Sequence, residues 1–138
     1  MHLYRIMCID HGETRIGIAL SDPLQIISRP YKVISNTNDN TLAEIKKIIE
    51  KENVGKIVVG LPVNFEGEDT IRTGEVREFV ERLKKKISIP VIFWDERYST
   101  VEANEILKKK KYSIKESKSV IDKVAASIIL RDYLDSIK

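Results

Sequence analysis

Two short, nearly continuous apolar runs, residues 56–61 (KIVVGL) and 90–94 (PVIFW), constrain the fold of this chain more than any other feature. Each is too short for a buried helix. A strand covered by helices on both faces reads as a continuous apolar run, whereas a strand with one wet face alternates. Each run also follows a stretch of helical periodicity. Upstream of the first, Leu42, Ile45, Ile48 and Ile49 share one helical face, with Glu44, Lys46, Lys47 and Glu50 elsewhere. Upstream of the second, Val76, Phe79, Val80 and Leu83 do the same, ending in lysines at 84–86. Strands that alternate with helices are parallel and joined by right-handed crossovers.

The N-terminal third follows a different pattern. Residues 3–9 and 15–20 are apolar-rich and flank Gly12, which predicts a β-hairpin. Pro23 ends the second strand, and 31–34 predicts a short third one. Turn residues fill 36–40, with Asn40 or Thr41 as the expected cap of the first helix. After residue 94, helix signals resume near Thr100 with Val101, Ile106 and Leu107, and a last helix is expected over about 117–137. The expected fold class is therefore α/β: a mixed sheet, antiparallel in its first strands and parallel afterwards, with helices on both faces.

A length of 138 residues fits one domain spanning 1–138, and 42% hydrophobic residues suffice for a core. One cysteine, Cys8, allows no internal disulfide and no multi-cysteine zinc site, and its apolar surroundings read as core. No apolar stretch approaches the roughly 20 residues of a membrane span. The first residues lack the hydrophobic region of a signal peptide, so a cytoplasmic protein without membrane partners is expected. The formal net charge of +3 says little, but residues 108–123 hold seven lysines against Glu116 and Asp122. Such a segment is either a solvated connection or an edge that attracts phosphate backbones.

Three acids do not fit a solvated helix face. Asp10 ends the first strand beside His11-Gly12, as a turn acid or as a site acid at a strand end. Asp95-Glu96-Arg97 follows the run at 90–94, where ligands bind in sheets with parallel strands. Two adjacent acids point in different directions, so only one need face a site; the alternative is a turn acid paired with Arg97. Asp122 shares a helical face with Ala125, Ala126, Ile129 and Tyr133, and so lies on the apolar side of the last helix. A buried carboxylate needs a partner, either a lysine such as Lys123 or a metal ion shared with other acids. Magnesium-like cations prefer oxygen ligands. Two of them about 3.5–4 Å apart activate a water and stabilise the leaving oxygen of a phosphodiester. Asp10, Glu96 and Asp122, from two strand ends and a helix, would supply such a site. Other chemistry is poorly represented: His2 and His11 are the only histidines, no P-loop occurs, and Gly12 and Gly17 complete no dinucleotide fingerprint.

Four segments, IDHGETRIGIALSDP (9–23), VVGLPVNFEGE (58–68), WDERYSTVEA (94–103) and IDKVAASIILRDYL (121–134), resemble the YqgF family. Its members are called pre-16S rRNA nucleases or Holliday-junction-resolvase-like proteins. The resemblance covers nearly the whole chain, in order and spacing. It implies an RNase H-like fold with a five-stranded mixed sheet. It also implies metal-ligating catalytic carboxylates at Asp10, Glu96 and Asp122, and cleavage of structured nucleic acid with Mg²⁺ or Mn²⁺. The substrate it implies is the 5′ end of pre-16S rRNA, with the small ribosomal subunit as a partner, or a four-way DNA junction. The family often has a proline or aromatic residue and then Gly-Thr after the first acid. Here His11, Gly12 and Glu13 stand instead, and His11 is placed to contact substrate. Within the resemblance, Arg15, Arg72 and Arg97, with Lys108, Lys109, Lys110, Lys111 and Lys115, become candidates for holding phosphates. Two rivals stay open. An ATP-binding protein of the actin–hexokinase type would need a second such domain, and a non-catalytic RNA-binding assembly factor would not need three acids. Either a monomer or a homodimer is compatible with the sequence.

Overall fold

The structure, a computed structural model, describes residues 3–98 and 115–138. The elements run β1 (Arg5–His11), β2 (Arg15–Ser21), β3 (Ser28–Ser35), α1 (Asp39–Glu52), β4 (Val54–Leu61), α2 (Ile71–Lys84), β5 (Val91–Asp95), a 3-10 turn (Glu96–Tyr98) and α3 (Lys115–Ser136). The strands form one sheet in the order β3-β2-β1-β4-β5. Pairing is antiparallel for β1–β2 and β2–β3, and parallel for β1–β4 and β4–β5. The hairpin followed by β–α–β–α–β alternation therefore gives the expected mixed sheet. The helix expected near Thr100 lies outside the described residues.

Strand alternation divides the core into two layers. Met7, Ile9, Ile16, Ile18, Ile57 and Val59 pack with Leu42, Ile45, Val76, Phe79 and Leu83 of α1 and α2. Ile6, Cys8, Ala19 and Val58 pack with Ala126, Ile129, Leu130, Tyr133 and Leu134 of α3. The long helix α3 thus covers one face alone among the described residues, and β4 is buried on both sides, as its apolar run required, whereas the run at 90–94 forms the edge strand β5, whose residues are only half-buried.

Three local features go beyond the sequence reading. The first is β3, which spans Ser28–Ser35 and not only 31–34. It is an edge strand whose exposed residues include Pro30, tolerated at an irregularity in the β2 pairing, so its apolar signal is short. At α1, Asn38 occupies the cap position with φ 58° and makes no side-chain cap bond. Thr41 lies inside the first turn; its hydroxyl accepts from the Thr37 amide at 2.6 Å and donates to the Ser35 carbonyl at 2.7 Å. Helix α2 begins with a reciprocal cap, in which Thr70 and Thr73 each accept the other's backbone N–H. The buried Thr73 hydroxyl also donates to the Pro62 carbonyl, tying the helix start to the end of β4.

Candidate active site

Ile6 and Cys8 face α3, so Asp10, next in the alternation of β1, faces it too. Asp10 is only 6% exposed. Its cross-strand partner on β2 is Gly17. A Cβ at Gly17 would come within 2.2 Å of the Asp122 carbonyl oxygen, so the glycine lets the α3 backbone rest directly on the sheet. That close approach places Asp122, itself 4% exposed, over the same end of β1 and β2. The face predicted for it is observed, with Ala125, Ala126, Ile129 and Tyr133 buried alongside.

The third acid arrives from β5. Gly60 near the end of β4 pairs with Trp94, and Leu61 with Asp95. A Cβ at Gly60 would lie 3.4 Å from the Glu96 Oε1 atom and 3.2 Å from Ile129 Cδ1, so Glu96 reaches back over Gly60 on the α3 side. The adjacent acid points elsewhere. Asp95 accepts from Arg97 through the backbone amide, Nε and Nη2, at 2.8 to 3.2 Å and at 2.7 Å. The Arg97 guanidinium consequently holds the Asp95 carboxyl below its ordinary range. Burial pushes the Cys8 thiol well above its usual value, and the negative charges of Asp10 and Glu96 push it further. Both acids therefore bear on the same buried sulfur of the α3 face.

The arginines expected to hold phosphates have partners within the protein. Arg15, at the start of β2, donates from Nε to Asp122 Oδ2 at 2.7 Å. Arg72 in the first turn of α2 donates from Nη2 to the His11 carbonyl at 2.6 Å and lies 3.5 Å from Glu75. Arg97, besides gripping Asp95, packs over Gly67, where φ is +83° and a Cβ would meet the guanidinium at 2.8 Å. Arg97 also donates to the Phe65 carbonyl at 3.4 Å, joining the segment of Glu96 to the loop after β4. In that loop Asn64 accepts from the amides of Glu66 and Glu68 and so closes the turn. Lys108, Lys109, Lys110, Lys111 and Thr100 lie outside the described residues, and Lys115 begins α3.

His11 follows Asp10 but belongs to the other layer. Its ring lies against Phe79, centroids 4.7 Å apart and planes tilted by 53°, with Arg72 Nη2 at 3.1 Å from Nδ1 and the Asn36 amide at 3.3 Å from Nε2. Burial, with the Arg72 charge adding, lowers its pKa to about 4, so the imidazole is neutral near pH 7. With Asn36, Asn38 and Arg82 it lines a polar cavity on the side opposite the three acids.

Three carboxylates with no sulfur or imidazole among them are the donors a hard divalent cation takes. Gly60 leaves the space beside Glu96 that a side chain would fill. The donor set thus fits such a cation in chemistry. The acids share a face without closing on one point: among the described residues, no three Asp, Glu, His or Cys side chains stand close enough together to hold a metal ion.

Residues 4–136 match the family model described as "RuvX: Holliday junction resolvase". The chain belongs to the RuvX family. A relative from Halothermothrix orenii, named "Putative pre-16S rRNA nuclease", is 46% identical over 132 residues, which are 95% of this chain and 94% of that protein. One of the same name from Thermoanaerobacter pseudethanolicus is 45% identical over 136 residues, covering 97% and 98%. Among solved structures, Thermus thermophilus RuvC in complex with a Holliday junction substrate superposes with a TM-score of 0.57 at 14% identity, over 96% of each chain. The yeast mitochondrial Holliday junction resolvase Ydc2 gives a TM-score of 0.51 at 14% identity, covering 96% of this chain and 78% of that one. At such identities the likeness concerns the fold, which is RNase H-like. RuvX membership and nuclease-named relatives place the chain among hydrolases that cleave phosphodiester bonds.

Proposed function

We propose that this chain is a divalent-metal-dependent endonuclease that processes the 5′ end of pre-16S rRNA in the cytoplasm, with Asp10, Glu96 and Asp122 as its metal ligands. The observation that carries this reading is the placement of the three acids on the α3 face, at the ends of β1 and β5 and over Gly17 and Gly60. Three acids gathered on one face repel a phosphodiester unless a cation stands between them. Bound Mg²⁺ or Mn²⁺, as one ion or a pair, supplies the charge that activates water and stabilises the leaving oxygen.

The protein's own contribution is position. Strand β1 and the α3 backbone hold Asp10 and Asp122 on a face closed to solvent, so their carboxylates reorganise little. Glu96 orients the attacking water or completes the ligand set. Arg72 and Arg97 are already engaged, with the His11 carbonyl and with Asp95. This reading therefore gives the first phosphate contacts to Lys108, Lys109, Lys110, Lys111 and Lys115, since Arg15 is likewise engaged, with Asp122.

The names of the relatives support rRNA, and the description of the family supports a second reading, resolution of four-way DNA junctions. A competition assay separates them: 5′-extended 16S precursor RNA, alone and within small-subunit particles, against a four-way DNA junction, all with Mg²⁺. The expected result is cleavage at the RNA 5′ extension with the junction left intact. Symmetric nicking of the junction alone would replace the first reading with the second, and would call for a homodimer matched to the junction's two-fold axis.

A further inference from the structure

Asp122 is buried, yet the structure sets a guanidinium on it: Arg15 Nε to Oδ2 at 2.7 Å. The pairing is asymmetric. The Asp122 side chain is 6% exposed, whereas that of Arg15 is 32% exposed. The grip is through one nitrogen, with Nη1 turned to the Thr14 hydroxyl at a long 3.4 Å. Arginine holds a carboxylate most strongly through two parallel bonds, and this pair lacks that geometry. Arg15 also lies on the same face of β2 as Gly17, two residues along the alternation, so its head reaches Asp122 from the solvent rim of the acid face. Meanwhile the acids of that face do not close around a common point.

We infer that Arg15 is an exchangeable counter-ion, holding Asp122 in the cation-free chain and giving it up when a divalent cation enters. The inference rests on the metal-site reading above. A buried carboxylate is stabilised by a positive partner, and Arg15 supplies one before cation binding. A divalent cation on Asp122 supplies that partner and repels the guanidinium. Release then turns a planar, permanently charged group toward solvent at the edge where the substrate backbone must lie. Cation entry and presentation of Arg15 to a phosphate become one event, and by linkage each favours the other.

The test is a Mn²⁺ titration followed by electron paramagnetic resonance, with no nucleic acid present. It compares wild type with Arg15→Gln, Arg15→Lys and Asp10→Asn, and records thermal melting of each with and without Mn²⁺. Removing the competing charge-assisted hydrogen bond should tighten Mn²⁺ binding by about tenfold in Arg15→Gln. Arg15→Lys should fall between that variant and wild type. Arg15→Gln should also melt earlier than wild type without Mn²⁺ and recover most of the difference with it. If Arg15→Gln is too unstable to titrate, Arg15→Lys carries the comparison alone. Equal Mn²⁺ affinity across wild type and the Arg15 variants, with binding abolished by Asp10→Asn, would overturn the exchange while leaving the metal site standing. No Mn²⁺ binding by any of the proteins would remove both.

Discussion

Asp10 and His11 are neighbours in sequence and opposites in role, because a strand sends successive side chains to opposite faces. The imidazole is wedged between Phe79 and Arg72, and burial holds its pKa down to about 4 from 6.5. The unfolded chain takes up a proton between those values that the folded chain refuses, so the folded state loses stability as pH falls from about 6.5 toward 4. Above 6.5 this contribution is fully present. Denaturation midpoints of the wild type should decline across that window by about 1–3 kcal/mol of stability, and His11→Gln should flatten the decline. A second residue-scale outcome concerns the two glycines of the acid face. Gly17→Ala drives a methyl group into the Asp122 carbonyl and should cost about 3 kcal/mol, measured by urea unfolding. Gly60→Ala meets only the movable ends of Ile129 and Glu96, so it should cost under about 1 kcal/mol while lowering cleavage more than stability.

At the scale of elements, short apolar runs located β4 and β5 and helical period located α1 and α2, since each buries surface whose pattern its residues must carry. The period failed at β3, where an edge strand owes its pairing to backbone hydrogen bonds and little to apolar side chains. It also failed at helix starts that use unusual chemistry: Thr73 answers Thr70 where a Glu or Gln would have announced the cap. Asp122 was legible because 122, 125, 126, 129 and 133 share a helical face. Its partner was not, because Arg15 is 107 residues away and only the tertiary fold brings the two together. Likewise Asp95 and Glu96 stayed ambiguous until Arg97 was seen to take the first of them. The isolated Gly17 within the run at 15–20 carried a readable signal, since a glycine in a strand marks the close approach of another backbone. The contact of α3 with Gly17 is what that signal meant.

Considered as a whole molecule, the protein puts Asp10, Glu96 and Asp122, the proposed catalytic acids, on one layer and the His11 pocket on the other, so the two regions should answer to different mutations. The proposed function gives substrate attraction to the lysine-rich segment. Replacing Lys108–Lys111 with glutamine should lower the slope of log binding constant against log salt by about 3 to 4 for duplex substrates, without changing the cleavage position. Among the described residues no helix is long and apolar enough to cross a membrane. The account's central claim is that Asp10, Glu96 and Asp122 act together through a divalent cation. The most direct measurement is single-turnover cleavage of the 5′-extended precursor RNA by wild type, Asp10→Asn, Glu96→Gln and Asp122→Asn, each with Mg²⁺ and with EDTA, alongside circular dichroism of each protein. Changes in the shell around metal ligands already cost 10–100-fold, so each substitution should cost at least about a hundredfold with the fold intact, and EDTA should abolish wild-type cleavage. Cleavage that persists in EDTA, or that survives these substitutions, would contradict it.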